Sequence, residues 1–257
     1  RRGCGLLRRG MSAELVGLAE VREAAERTRG VAIRTPLLPS PVLSTETGAE
    51  VRLKCESLQR AGSFKIRGAY NYVSQLSDDE LARGIITYSS GNHAQAVALA
   101  AQIKGIRAGV VMPTDAPDVK RRGAERLGAE VVFEGTTSLQ RKARAEAIAE
   151  AEGLHVVPPF DHAHIIAGQG TAGLEILTEW PEADTIFAPI GGGGLLSGIA
   201  AAVREMNPKA RISGVEPRGA AAMRAALDAG HPVTLEGTDT IADGLRPVRS
   251  GDLTFEH

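Results

Sequence analysis

The chain reads as an α/β protein built on parallel sheets with helices on their faces, and three observations lead there. Short β-branched runs recur at Ile85–Tyr88, Ala108–Met112, Glu130–Phe133, 155–157, 185–190 and 212–215. Helical stretches separate them, most clearly at 139–151, 170–179, 195–206 and 219–229. A polar turn at 89–93 and a four-glycine loop at 191–194 each follow a strand and open a helix. Strand–helix alternation of this kind folds into parallel sheets, and ligands then bind beyond the carboxyl ends of the strands.

The elements follow in order. Apolar residues at Leu15, Leu18, Val21 and Ala25 recur at helical spacing, so 14–29 is an amphipathic helix. Thr35-Pro36 places extended chain after it, because a residue before proline avoids helix. Val51-Arg52-Leu53-Lys54 alternates as a strand does. A turn around Lys65 leads into a helix through Tyr70 and Val73, and Ser77-Asp78-Asp79-Glu80 carries a helix-start signal. The strand–helix series then runs to the end, with no Ser/Gly-rich linker to mark a boundary.

Composition narrows the function classes. The 257 residues are 43% hydrophobic and 24% charged, with a formal net charge of −1. That is ordinary for a globular protein and gives no basis for nucleic acid or an acidic membrane surface as partner. No apolar run approaches the roughly 20 residues that span a bilayer. Two cysteines, Cys4 and Cys55, make no disulfide framework, so a reducing cytoplasm is the expected location. Residues 1–10 carry four arginines and no acid, and read as a disordered leader or translated upstream sequence before Met11.

Three segments carry the chemistry. In Gly62-Ser63-Phe64-Lys65-Ile66-Arg67-Gly68-Ala69, a lysine sits among apolar and small residues, where a partly dehydrated amine becomes nucleophilic. In Ser89-Ser90-Gly91-Asn92-His93, hydroxyl, amide and backbone donors crowd a strand–helix turn, more of them than capping requires. In Gly191-Gly192-Gly193-Gly194-Leu195, glycines let the backbone approach an anion at a helix start. Together they are the parts that hold pyridoxal phosphate as a Schiff base. A dinucleotide is the competing ligand: Gly191 and Gly193 match the first two fingerprint glycines, and Glu216 stands where a ribose-binding acid belongs. Leu196, however, fills the third glycine position.

These segments, with Ala167-Gly168-Gln169-Gly170-Thr171 and Thr240-Ile241-Ala242-Asp243-Gly244-Leu245, resemble the threonine/serine dehydratase group, which includes serine racemases. The group lies within the tryptophan-synthase-β-like (fold type II) pyridoxal-phosphate enzymes, and the match runs in register from about Leu15 onward. The resemblance implies two parallel-sheet domains: a small one at 80–155, inserted in a larger one made of 11–79 and 156–257, with the cofactor between them. It implies Lys65 as Schiff-base lysine and Cα base, with Phe64 packed on the pyridine ring and Asn92 bonded to the ring oxygen. Gly191, Gly192, Gly193, Gly194 and Leu195 would hold the phosphate, and Gly244 would lie near the imine. Ser89, Ser90, Gly91, Asn92 and His93 would surround the substrate carboxylate, Ser90 also matching the racemase-side hydroxyl.

The activity so implied is deamination of L-threonine to 2-oxobutanoate, and of L-serine to pyruvate, with serine racemase as the alternative. A second alternative is an inactive or non-catalytic cofactor-binding chain. An amino-acid substrate, a homo-oligomer and a place in isoleucine biosynthesis are expected with it. Two departures stand out. The resemblance implies some sixty further residues after His257, including a Ser or Thr partner to the pyridine nitrogen, so the sequence is expected to be a fragment. A divalent cation at Glu216 and Ala220 is expected only weakly, because no second carboxylate stands near Ala222.

Overall fold

A computed structural model describes residues 15–89 and 91–257. The first helix, α1 (Leu18–Arg27), buries Leu18, Val21 and Ala24 on one face. Strand β1 (Leu37–Pro39), helix α2 (Pro41–Thr47) and strand β2 (Arg52–Lys54) follow. β1 and β2 pair antiparallel, Leu38 opposite Leu53, so the sheets are not all parallel as the alternation suggests. A short chain reversal around Gly48, at φ 70°, returns the second strand against the first.

Helix α3 (Lys65–Val73) and the short α4 (Asp78–Arg83) lead to strand β3 (Ile85–Tyr88). α4 starts on a capping box: the Ser77 hydroxyl accepts from the Glu80 N–H while the Glu80 carboxylate accepts from the Ser77 N–H. Next come α5 (Asn92–Lys104), β4 (Ala108–Met112), α6 (Asp118–Arg126), β5 (Glu130–Phe133), α7 (Ser138–Glu152) and β6 (His155–Val156). These strands form one parallel sheet in the order β5-β4-β3-β6. α5 buries residues on every side, as its alanine-rich sequence allows, and packs with α3 and the sheet around Ile66, Val73, Ile85 and Val110.

The last part holds α8 (Ala163–Glu179), β7 (Thr185–Pro189), α9 (Gly194–Met206), β8 (Arg211–Val215), α10 (Ala222–Ala229) and α11 (Asp252–Glu256), with β7 and β8 parallel. α8 is seven residues longer at its start than its periodicity predicts. Gly168, Gly170 and Gly173 depress helix propensity there, yet they serve packing. A Cβ on Gly168 would lie 2.5 Å from the Gly68 Cα, and one on Gly170 would lie 2.7 Å from the Gly198 carbonyl oxygen. α8 therefore touches α3 on one side and α9 on the other, backbone to backbone. Among the described residues, no helix is long and apolar enough to cross a membrane.

Candidate active site

Lys65 is the first residue of α3, and the seam behind it fixes that helix. Arg67, two residues on, points the other way and is 1% exposed. Its guanidinium donates to Glu56 at 2.7 and 2.8 Å, to Glu175 at 2.7 and 2.9 Å and to the Thr171 hydroxyl at 3.0 Å. Burial alone disfavours the charge, but the hydrogen bonds to Glu56 and Glu175 outweigh it and hold its pKa above the ordinary value. α3 is thereby clamped to α8, and Lys65 is left to face a cavity of about 350 Å³.

The Lys65 ammonium donates to the Pro159 carbonyl oxygen at 2.7 Å and sits 5.4 Å from the Phe64 ring centroid. Among the described residues no carboxylate pairs with it, and burial pushes its pKa down to about 8. The neutral amine is therefore within reach near physiological pH, which is what a carbonyl-condensing lysine needs.

The glycine loop lies on the same cavity. Gly191 has φ 54° and Gly193 φ 102°, conformations that residues with a Cβ seldom adopt. A Cβ on Gly192 would meet the Phe160 ring at 2.3 Å, and one on Gly193 would meet the Thr254 hydroxyl at 2.6 Å. α9 begins at Gly194, so its first N–H groups lack partners within the helix and face an anion-sized cradle. Gly191, Gly192, Gly194 and Leu195 line the cavity; Gly193 shapes the turn behind them. Gly244 is also on the wall, its carbonyl oxygen 3.7 Å from where a Gly191 Cβ would be.

Phe64, Ser89, Gly91, Asn92 and His93 complete the predicted set on this cavity. Ser90 lies outside the described residues, as do residues 1–10. The 89–93 segment is not all turn: Asn92 and His93 are the first residues of α5, with Gly91 at its cap. The Ser89 hydroxyl accepts from the Gly91 N–H at 3.2 Å. His93 is buried, its Nε2 3.3 Å from the Val157 carbonyl oxygen, and Nδ1 has no partner among the described residues. Burial and the nearby Lys65 charge push His93 down to about 3, so the ring is neutral.

Glu216 and Ala220, the residues expected at a divalent cation, lie just before α10. The Glu216 carboxylate accepts from the Met223 N–H at 3.0 Å and the Arg224 N–H at 2.9 Å, and so caps α10. Ala220 is 2% exposed in a single 3₁₀ turn and offers only its backbone. Among the described residues no three His, Cys, Asp or Glu side chains gather as a metal site.

Sequence reasoning passed over Phe160, Asp161 and Thr254. Asp161 accepts from the Asp252, Leu253 and Thr254 N–H groups and so anchors α11. The Thr254 hydroxyl donates to the Gly192 carbonyl oxygen at 2.7 Å and braces the glycine loop. A signal existed: Pro158-Pro159-Phe160-Asp161 follows the carboxyl end of β6, the position where the other site segments were sought.

A desolvated lysine amine, a glycine cradle that only an absent Cβ leaves open and an orphaned imidazole nitrogen fit pyridoxal phosphate. Comparison with known proteins agrees. The family described as pyridoxal-phosphate dependent enzyme matches residues 29–257. The L-threonine ammonia-lyase of Thermotoga maritima is 46% identical over 242 residues, which are 94% of this chain and 60% of that protein. An L-threo-3-hydroxyaspartate ammonia-lyase of a Pseudomonas species is 42% identical over 242 residues, 94% of this chain and 76% of that one. The structure of maize serine racemase superposes with a TM-score of 0.91 at 40% identity, covering 95% of this chain and 74% of that one. The chain thus spans three-fifths to three-quarters of these relatives. Its fold is that of the tryptophan-synthase-β-like enzymes, and it belongs to the pyridoxal-phosphate dependent family, among the ammonia-lyases and racemases.

Proposed function

We propose that the chain is an ammonia-lyase that deaminates L-threonine to 2-oxobutanoate, and L-serine to pyruvate. The observation that carries this reading is the Lys65 amine, held near pKa 8 by burial and set on the same cavity as the glycine loop. Pyridoxal phosphate, when bound, supplies an electron sink that acidifies the substrate Cα–H and lets the β-hydroxyl depart as water.

The protein's own groups do the rest. Backbone N–H groups of Gly191, Gly192, Gly194 and Leu195 hold the phosphate, with Gly193 turning the chain between them. Phe64 would pack against the cofactor ring, Asn92 would bond its oxygen, and Gly244 would close the wall of the same cavity. The Ser89 hydroxyl and the N–H groups at the start of α5 face the substrate carboxylate, Gly91 keeping that approach open. Lys65 takes the Cα proton in its neutral form. His93, neutral and buried, keeps positive charge away from Lys65. A small unit at 80–155, set in a larger one of 11–79 and 156–257, belongs to the same reading.

Lys65→Ala tests it. The variant should lose the visible absorbance of lysine-bound pyridoxal phosphate and all release of 2-oxo acid from L-threonine. Continued 2-oxo acid release would show that Lys65 is not the reacting amine. Serine racemase is the second reading, favoured by the closeness of the maize structure. It differs in reprotonation of Cα from the opposite face, and chiral analysis of L-serine incubations separates the two.

A further inference from the structure

One stretch of chain, 157–161, touches both ends of the space that pyridoxal phosphate would fill. At the lysine end, the Pro159 carbonyl oxygen accepts from Lys65 at 2.7 Å. At the phosphate end, Phe160 packs so closely on the glycine loop that a Cβ on Gly192 would meet its ring at 2.3 Å. The stretch is itself held firm. The Val157 N–H donates to the Ile86 carbonyl at 2.8 Å, and the Val157 carbonyl accepts from the Thr87 hydroxyl at 2.8 Å. Prolines at 158 and 159 then restrict φ on the way to Phe160.

Asp161 ends the stretch. Charge alone argues against a carboxylate on this wall, because it repels a phosphate. Its bonds to α11 supply the reason for it. Oδ1 accepts from the Leu253 and Thr254 N–H groups at 2.9 and 3.2 Å, and Oδ2 from the Asp252 N–H at 2.9 Å. α11 is five residues long, too short to keep its shape alone, and a carboxylate on its free N–H groups holds it. The turn so fixed reaches back to the glycine loop. The Thr254 hydroxyl and the Gly251 N–H donate to the Gly192 carbonyl oxygen at 2.7 and 3.3 Å. On the far side of that peptide, the Gly193 N–H donates to the Ile190 carbonyl at 2.9 Å. With both groups bonded, the peptide plane between 192 and 193 cannot turn, and the free N–H groups at the start of α9 keep their aim.

We propose that Asp161 is a positioning residue for the cofactor phosphate. Through α11 and Thr254 it fixes the peptide planes of the glycine loop, and through Phe160 and Pro159 it sets that loop at a constant distance from Lys65. It touches neither the phosphate nor the reacting atoms. It acts by preorganising donors that would otherwise have to be ordered when the anion binds. The proposal rests on the cofactor and not on the choice of substrate, so its test needs no amino acid.

The test uses the whole chain, freed of cofactor and then titrated with pyridoxal phosphate or with pyridoxal, which lacks the phosphate. Absorbance of the lysine-bound form gives each Kd. Asp161→Ala should weaken pyridoxal phosphate about 10–100-fold, and Asp161→Asn, which keeps one oxygen acceptor, should fall between it and wild type. Pyridoxal should change by less than about threefold in every variant, since it makes no use of the loop. Thr254→Val, which leaves the cap intact, should weaken pyridoxal phosphate about 2–10-fold. Because Asp161 acts through Thr254, the double variant Asp161→Asn/Thr254→Val should bind little worse than Asp161→Asn alone. If Asp161→Ala does not fold, as read by far-UV circular dichroism, the Asp161→Asn and Thr254→Val arms decide the matter. Equal losses for pyridoxal phosphate and pyridoxal would reduce Asp161 to a structural cap and overturn the proposal. Additive losses in the double variant, or an unchanged Kd for pyridoxal phosphate in Asp161→Asn, would overturn it as well.

Discussion

Arg67 and Arg141 are both buried guanidinium groups, and their surroundings differ in one respect that sorts the molecule into scaffold and site. Around Arg67 the protein supplies two carboxylates, a hydroxyl and the Ile33 carbonyl. Around Arg141 it supplies no partner for Nε and Nη1 among the described residues. Lys65, two residues from Arg67 on the same helix, falls on the cavity side of this divide with a single carbonyl as partner. A buried polar group whose partners are all internal holds the fold together. One whose partners are missing holds a place for something else.

The strongest way to break this comparison is to remove Arg67. Arg67→Met leaves the mostly buried Glu56 with only the Thr35 hydroxyl and Glu175 with only the Lys54 ammonium, and should cost about 3–5 kcal/mol. Urea unfolding followed by far-UV circular dichroism reads it. Arg141→Leu, with an opposite expectation of no loss, is the matched control. Equal effects of the two substitutions would erase the distinction between scaffold and site.

Lys65 sharpens the comparison through pH. In the cofactor-free protein its pKa is lowered from 10.5 to about 8 by burial. Between those values the unfolded chain binds a proton that the folded one does not, so stability rises with pH across that window. The total is about 3 kcal/mol, at about 1.36 kcal/mol per pH unit. Lys65→Met should be more stable than wild type at pH 7 and lose this advantage by pH 10.5. Parallel stability curves for the two proteins from pH 7 to 10.5 would show that Lys65 is not held in a dehydrated place.

How much of this was legible beforehand depends on what each residue responds to. Strands β3, β4 and β5 were readable to the residue, because β-branched runs bounded by polar residues answer to local preference. The start of α8 was not, because its glycines exist for contacts with α3 and α9 that lie far off in sequence. Lys65, the 89–93 segment and the glycine loop stood out as unusual local chemistry. Arg141 did not: on an amphipathic helix rich in Arg, Lys and Glu, nothing local marks the one cation turned inward. Asp161 and Thr254 were hidden likewise, since bracing across some ninety residues leaves no spacing to read.

The α3–α8 contact gives a smaller effect of mixed kind. Gly168→Ala places a methyl 2.5 Å from the Gly68 Cα and 2.6 Å from the Arg67 carbonyl oxygen, both backbone atoms that cannot step aside. The helices must part by a fraction of an ångström, costing about 1–3 kcal/mol. Because Lys65 begins α3, the same shift should move the amine relative to the glycine loop and lower kcat more than it raises KM. Gly230→Ala, at φ 76° with open space around it, also costs stability through its backbone but lies away from the cavity wall, and should leave kcat unchanged. If both variants lowered kcat alike, the α3–α8 seam would have no special hold on Lys65.

The smallest effect belongs to Glu216, which tests whether a carboxylate first read as a cofactor or metal ligand is instead part of the scaffold. Its two oxygens take the Met223 and Arg224 N–H groups, which α10 cannot satisfy within itself. Glu216→Gln keeps an oxygen acceptor for one of them but removes the charge that favours a helix N-terminus. The expected loss is about 0.5–1 kcal/mol, and Glu216→Ala should lose about 1–2 kcal/mol as both donors go unpaired. Thermal denaturation of the cofactor-loaded protein measures the graded series. Activity toward L-threonine should follow neither substitution, because Glu216 is not among the residues that line the cavity. A fall in kcat with unchanged stability would move Glu216 to the other side of the divide that Arg67 and Arg141 define.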